Sequence, residues 1–263
     1  MDSHRLLAFL ALMFVGQAVI ARPYAAFSGL AAAADSAATA GTNPAGIMRF
    51  DDPSQRVELL AFFSESTWEG QLGDTELDSS SDDSSEIIVP AAYLIHPIRE
   101  DLNFSFTILG VGFSDDLGDW PGRYFIETYD SVSISAFPSL AYRVSDKLSI
   151  AGSLSLTYAI FDQERAVANF LDPGFGDGSA ELETDGFDMG FGLSMLYEIS
   201  AQTRWGLSYL SEVEPSLDGD SSYSNLGPRT EAVLAEAGIL GADVEVNSRT
   251  PQSLAGRVPR LRQ

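Results

Sequence analysis

The chain has 263 residues, no cysteine, and 15 Lys and Arg against 38 Asp and Glu, a formal charge of -23. That field repels nucleic-acid phosphates, so no nucleic-acid partner is expected. The missing thiols exclude disulfides, thiolate metal sites and a cysteine nucleophile.

In chain order, Arg5 precedes an apolar run from Leu6 to Val15, and small residues follow. This predicts a signal peptide over 1–21, with Val19 and Ala21 at the small-residue positions. A membrane anchor is the competing reading, but the run is shorter than a spanning helix needs. Residues 22–55 are rich in Ala, Gly, Ser and Thr, and Asn43-Pro44 breaks any helix there. This predicts short helices ending in a turn, with a flexible linker as the alternative. Leu30, Ile47, Met48 and Phe50 give the segment something to pack with.

Beyond Arg56 the hydrophobic period becomes two. Leu148, Ile150, Leu154, Leu156, Tyr158 and Ile160 alternate with Ser149, Ala151, Ser153, Ser155, Thr157 and Ala159. The stretches 131–142 and 187–198 follow the same rule, and 57–64, 89–96, 102–113 and 205–213 follow it more weakly, giving about seven strands over 56–246. The strands are long, about 10 to 13 residues, against the 5 or 6 usual in soluble sheets. One face is apolar and the other small and polar. Tyr142, Tyr158, Tyr197, Trp205 and Tyr209 stand near strand ends, where aromatic rings straddle a headgroup boundary. The joints at 143–147 and 200–203 are tight, whereas 114–130 and 163–185 are long and acidic. Short turns on one side and long loops on the other predict an antiparallel transmembrane β-barrel, with a secreted β-sandwich as the alternative.

The segment from Ser28 through Thr42-Asn43-Pro44-Ala45 to Phe50 resembles the N-terminal hatch of the FadL-type outer-membrane transport family. Pro138–Ile150, Gly186–Glu198 and Thr203–Val213 are similar to strands and turns of that family, in order. The resemblance implies an all-β antiparallel barrel of about 14 strands, of which about seven are present, closed by a small helical hatch over 22–55. It implies a passive outer-membrane channel, exported by its signal peptide. Its partners would be hydrophobic small molecules, long-chain fatty acids or aromatic hydrocarbons, together with outer-membrane lipid and lipopolysaccharide, and the barrel-assembly machinery. Asn43, Pro44 and Ala45 are the expected plug, and Gly110 and Gly112 the expected bend where the wall opens. Phe170, Leu171 and Phe175 are the expected apolar landing loop, with ordinary loop packing as the alternative. Residues 247–263 turn basic and lose alternation, which is expected of an irregular, frameshifted tail. A non-transporting barrel fragment or remnant is therefore the second reading.

Other chemistry leaves no signal. Only His4 and His96 are present, so no metal pair or catalytic triad is expected, nor a cofactor or enzymatic activity. His96, before Pro97, reads as an exposed turn residue. The glycines of 174–178 lack the context of a phosphate loop. The acidic run 74–86 offers oxygen ligands for Ca²⁺ but without calcium-loop spacing, and reads as a solvated, partly disordered loop. Asp115 and Asp116 carry no hydrolase signal.

Overall fold

The structure, a computed structural model, describes residues 31–72, 75–118, 120–200, 203–240 and 243–247. The expected signal peptide, and all of the expected tail except Asn247, lie outside the described residues.

Nine strands form one antiparallel sheet: β1 Ser54–Leu72, β2 Thr75–Arg99, β3 Leu102–Asp116, β4 Thr128–Ser145, β5 Leu148–Val167, β6 Gly178–Glu198, β7 Arg204–Leu210, β8 Ser216–Ser224 and β9 Asp243–Asn247. Each of the first six pairs with its sequence neighbour, the meander that short antiparallel joints dictate. Among the described residues no helix is long and apolar enough to cross a membrane, which says nothing about crossing by strands. Short joints at 100–101, 146–147 and 199–203 lie at one end, and 117–127, 168–177 and 225–242 connect the other.

The strands are longer than the alternation predicts and the loops shorter. The acidic run 75–86 belongs to β2, paired with β1, and so is not the solvated loop expected. The hydrophobic period stops where a strand leaves the apolar band, but backbone pairing continues. Above that point the outward face turns acidic, and Asp130, Asp162, Glu183 and Asp220 stand directly opposite one another on β4, β5, β6 and β8. His96 lies inside β2, exposed and opposite Phe104, so it is a strand residue and not a turn residue.

The seventh stave is split. β7 pairs with one end of β6 and β8 with the other, and six residues of β6, 186–191, face seven, 211–217. Residues 211–215 belong to neither strand, and Pro215 among them has no N–H to give a ladder. The sequence reading carried the seventh strand only to Val213 and foresaw neither β8, nor β9, nor the helix Pro228–Glu236.

Residues 31–50 fold as a short helix, α1 Thr39–Thr42, and a 3₁₀ helix, Pro44–Arg49. The helix Pro228–Glu236 is α2. The N-terminal segment packs on one face of the sheet, which defines the inner face. Ala34, Ala37, Ala40, Ala45, Ile47 and Met48 form a core with Ile95, Ala141, Ala151 and Leu196 of the wall. Burying Ile47 and Leu196 contributes about 1.5–3 kcal/mol each. The alanines bring backbone close to wall, and Gly206 of β7 allows the closest approach. A Cβ there would lie 2.3 Å from the Ala31 carbonyl oxygen.

Candidate functional site

Side chains alternate between faces, so the register assigns every strand residue to one of them. The outer face carries Ile134, Leu154, Phe187, Phe191, Leu193 and Trp205, all exposed. The inner face next to the short joints is small and polar: Asn103, Ser105, Thr107, Ser139, Ser149 and Ser194 are buried beneath the N-terminal segment. This agrees with the expected small, polar inner face.

Further from the short joints the expectation fails. The inner face there carries Leu60, Phe62, Ile87, Val89, Leu109, Val111, Phe113, Tyr129, Phe137 and Phe161, placed by the register of β1 to β5. Phe113 and Phe161 each lie opposite Ser131, and Tyr129 bridges them edge-on, with ring centroids 5.3 Å from Phe113 and 5.1 Å from Phe161. Such pairs are specific contacts as well as apolar surface. The result is an apolar basin next to the floor formed where the N-terminal segment packs on the wall.

Asn43, Pro44 and Ala45 are all buried in that floor, and Asn43 is its hub. The Asn43 amide donates to the carbonyls of Ala31 (2.6 Å) and Met195 (3.1 Å). Its oxygen accepts from the Ala45 N–H at 3.2 Å, capping the 3₁₀ helix, and that N–H also donates to Ser194 Oγ at 3.0 Å. Pro44 suits the first helical position, where no N–H is needed. Asn103 donates to the carbonyls of Ile47 and Phe50 at 2.8 and 2.9 Å, and Arg143 to that of Met48. Arg49 pairs with Glu198 at 3.4 Å.

Gly110 and Gly112 lie on the outer face of β3, in unbroken register with Ile134 and Val132 of β4. The irregularity is on their other side. Pairing of β2 with β3 runs to Ile88 opposite Gly112 and resumes at Ala91 opposite Leu109, skipping Val89 and Pro90. Pro90 has no N–H to donate. A Cβ on Gly110 would meet Pro90 Cγ at 2.9 Å, so glycine there makes room for proline. The interruption borders the basin through Val89 and Val111.

Phe170, Leu171 and Phe175 share the β5–β6 loop and are 87%, 47% and 57% exposed. That loop is tied on both sides. Arg123 and Tyr124 of the β3–β4 loop donate to Asp177 at 2.8 and 2.9 Å. Asn169 accepts from the Gly227 N–H, and Asp172 accepts from the N–H groups of Arg229 and Thr230, at the start of α2. Hydrogen bonds from Arg123 and then Tyr124 hold the Asp177 carboxyl below the ordinary carboxylate value. For Asp172, burial pushes upward, but hydrogen bonds from Thr230 and Arg229 outweigh it and leave the carboxyl lowered.

Among the described residues there is no group of three or more His, Asp or Glu arranged to hold a metal ion. The basin was not among the expected site residues, although 102–113 carries a weak two-residue period.

The family model described as "Outer membrane protein transport protein (OMPP1/FadL/TodX)" matches residues 14–254. A long-chain fatty acid transport protein of Escherichia coli O6:H1 is 26% identical over 244 residues, covering 81% of this chain and 53% of the relative. The chain thus spans about half the length of that curated relative. A crystal structure of a Pseudomonas aeruginosa FadL homologue superposes with a TM-score of 0.63 at 16% identity, over 80% of this chain and 57% of the other. A deltaS2 mutant of the TodX monoaromatic hydrocarbon channel gives 0.54 at 15%, over 81% and 56%. These structures share the fold, and the sheet is a partial barrel of their kind. With its family model matched from residue 14 to 254, the chain belongs to the FadL/TodX family of Gram-negative outer-membrane transport proteins, whose members are channels and not enzymes.

Proposed function

We propose that this protein is a passive outer-membrane channel for hydrophobic compounds, long-chain fatty acids first among them. The observation that carries this reading is the apolar basin of Phe113, Tyr129 and Phe161 inside a wall whose floor is shut by the N-terminal segment. A fatty acid gains about 0.8 kcal/mol per methylene buried, so such a basin extracts it from water without an energy source. Residues 22–55 act as the hatch, with Asn43, Pro44 and Ala45 its plug. Phe170, Leu171 and Phe175 receive cargo at the surface, and the interrupted ladder at Pro90 and Gly110 is the place where the wall opens sideways. Export uses the signal peptide of residues 1–21. Lipid and lipopolysaccharide surround the outer face, and the barrel-assembly machinery inserts it. The name of the Escherichia coli relative supports fatty acids.

Monoaromatic hydrocarbons are the second reading, favoured by the edge-on aromatic trio and by the name of the hydrocarbon-channel neighbour. Growth of a strain lacking its own transporter, producing this protein and fed oleate or toluene, separates the readings. Growth on oleate supports the first, and growth on toluene alone the second. Growth on neither overturns both and leaves a non-transporting barrel fragment.

A further inference from the structure

The wall is broken inside its own apolar band. On β6 the ladder to β7 runs from Glu198 to Gly192, and the ladder to β8 begins only at Asp185, so residues 186–191 have no ladder partner on that side. The outward side chains beside the break, Phe187, Met189 and Phe191, are large, apolar and exposed, and the acidic stretch of β6 starts beyond them at Asp185. Leu156 and Tyr158 of β5, opposite Met189 and Phe187, belong to the same band. In hydrocarbon every backbone N–H and C=O needs a partner, and irregular backbone is tolerated at that depth only where protein covers it or a water-filled space meets it.

Side chains bridge the break in place of a ladder. At its lower margin the Phe191 N–H donates to Ser211 Oγ at 2.9 Å, and the Ser211 N–H donates to the Phe191 carbonyl at 2.8 Å. Backbone groups alternate between the two edges of a strand, so the Met189 N–H points to the same edge as that of Phe191. It meets a carboxylate: Asp188 Oδ1 accepts it at 2.7 Å, and Asp188 Oδ2 accepts the Glu214 N–H at 2.7 Å. One acidic side chain thus joins both margins. Asp188 stands on the inner face opposite Thr157, whose hydroxyl is 2.8 Å from that of Ser135. The chain after β7 turns toward the same face, since a Cβ on Gly190 would lie 2.6 Å from Ser211 Oγ and 2.7 Å from Val213 Cγ2.

A carboxylate at the depth of hydrocarbon is costly unless it is paired or faces water, and each oxygen of Asp188 can accept more than the one bond it has. We propose that the break between β6 and the seventh stave is a window through the apolar band, filled by water from the inner face, with Asp188 as the latch that spans it. Thr157 and Ser135 carry the polar surface from the inner face to its edge. The window is separate from the interruption at Pro90 and Gly110, which lies between β2 and β3. This rests on reading the sheet as a membrane wall, and it adds where water crosses that wall and which residue holds its margins together.

The test uses no cargo, so it stands apart from the transport reading. The chain has no cysteine, and single thiols report water against a silent background. Met189→Cys and Leu156→Cys lie directly opposite one another on the outer face, at one depth, the first beside the break and the second on a strand paired on both sides. In outer membranes carrying the folded protein, each is treated with a small cationic methanethiosulfonate, which reacts with the hydrated thiolate. The expected result is labelling at Met189→Cys about tenfold faster than at Leu156→Cys. An equal or faster rate at Leu156→Cys overturns the window. The absolute rates then separate two failures: both slow leaves a sealed membrane wall, and both as fast as a free thiol removes the membrane wall as well. Asp188→Ala combined with Met189→Cys should speed labelling about threefold more, and no change removes Asp188 as the latch. Amide hydrogen exchange on the unsubstituted protein decides the matter should a variant fail to fold. The peptide covering 186–191 must exchange about tenfold faster than that covering 152–157, and equal exchange rejects the window.

Discussion

Along β3 the inner face reads Asn103, Ser105, Thr107 and then Leu109, Val111, Phe113. Along β5 it reads Ser149, Ala151, Ser153, Ser155, Thr157, Ala159 and then Phe161. One stave thus serves two purposes. Its first half offers small groups that let a folded segment sit against backbone, as the zero exposure of Ala45, Ile47 and Leu196 shows. Its second half offers large rings that leave room between them and meet edge-on. Size and polarity, not secondary structure, divide the wall into a covered part and an apolar part.

The two halves should therefore respond differently to substitution. The largest effect is expected at the hub of the covered half. Asn43→Leu removes the donor to two carbonyls, while the Ala45 N–H keeps Ser194, and stability should fall by about 3 kcal/mol, read as a lower urea midpoint of the detergent-solubilised protein. A loss under about 1 kcal/mol would mean that the floor is held by packing alone. In the apolar half, Phe113→Ala and Phe161→Ala should weaken oleate binding about tenfold each, because each loses its contact with Tyr129 and its apolar area. Unchanged affinity would remove the basin from the pathway.

Glycines sharpen the contrast within the wall. Gly206→Ala forces a Cβ to 2.3 Å from the Ala31 oxygen and 2.8 Å from the Asn43 amide nitrogen, and should cost about 1–3 kcal/mol. Gly152→Ala, on the outer face with nothing within 4 Å, should stay within about 0.5 kcal/mol of the parent. Equal effects would erase the distinction between covered and uncovered wall. The smallest effect is at the loops above the basin. Asp177 is held low by Arg123 and Tyr124, so its bonds contribute in full above the ordinary carboxylate value, and that contribution declines below it and is lost as pH falls through the lowered value. Pepsin should spare loop 168–177 near pH 5 and cut it faster only below about pH 3.9. In Asp177→Asn that acid-dependent rise should be absent.

Much of this was legible in the order of residues. The alternation of 148–160 and 187–198 predicts two staves because each crosses an apolar medium on one side only. Thr42-Asn43-Pro44-Ala45 locates the floor because asparagine before proline caps a short helix. Its anchor on β6 was hidden, since Met195 lies 152 residues away and a backbone carbonyl has no sequence signature. Along 108–113 the alternation of Leu109, Val111 and Phe113 with Ile108, Gly110 and Gly112 is weak and does not tell which face looks inward, so the basin stayed hidden. Where both faces are polar, as along Ser216–Ser224, the strand itself is lost to the eye, and only pairing with β6 reveals it.

The file of opposed carboxylates from Asp130 to Asp220 sets like charges side by side on strands about 4.8 Å apart. Mobile ions relieve such crowding, since the distance over which charges feel one another shrinks from about 10 Å at 0.1 M to about 3 Å at 1 M. Repulsion along this rim therefore weakens as salt rises and strengthens as it is removed.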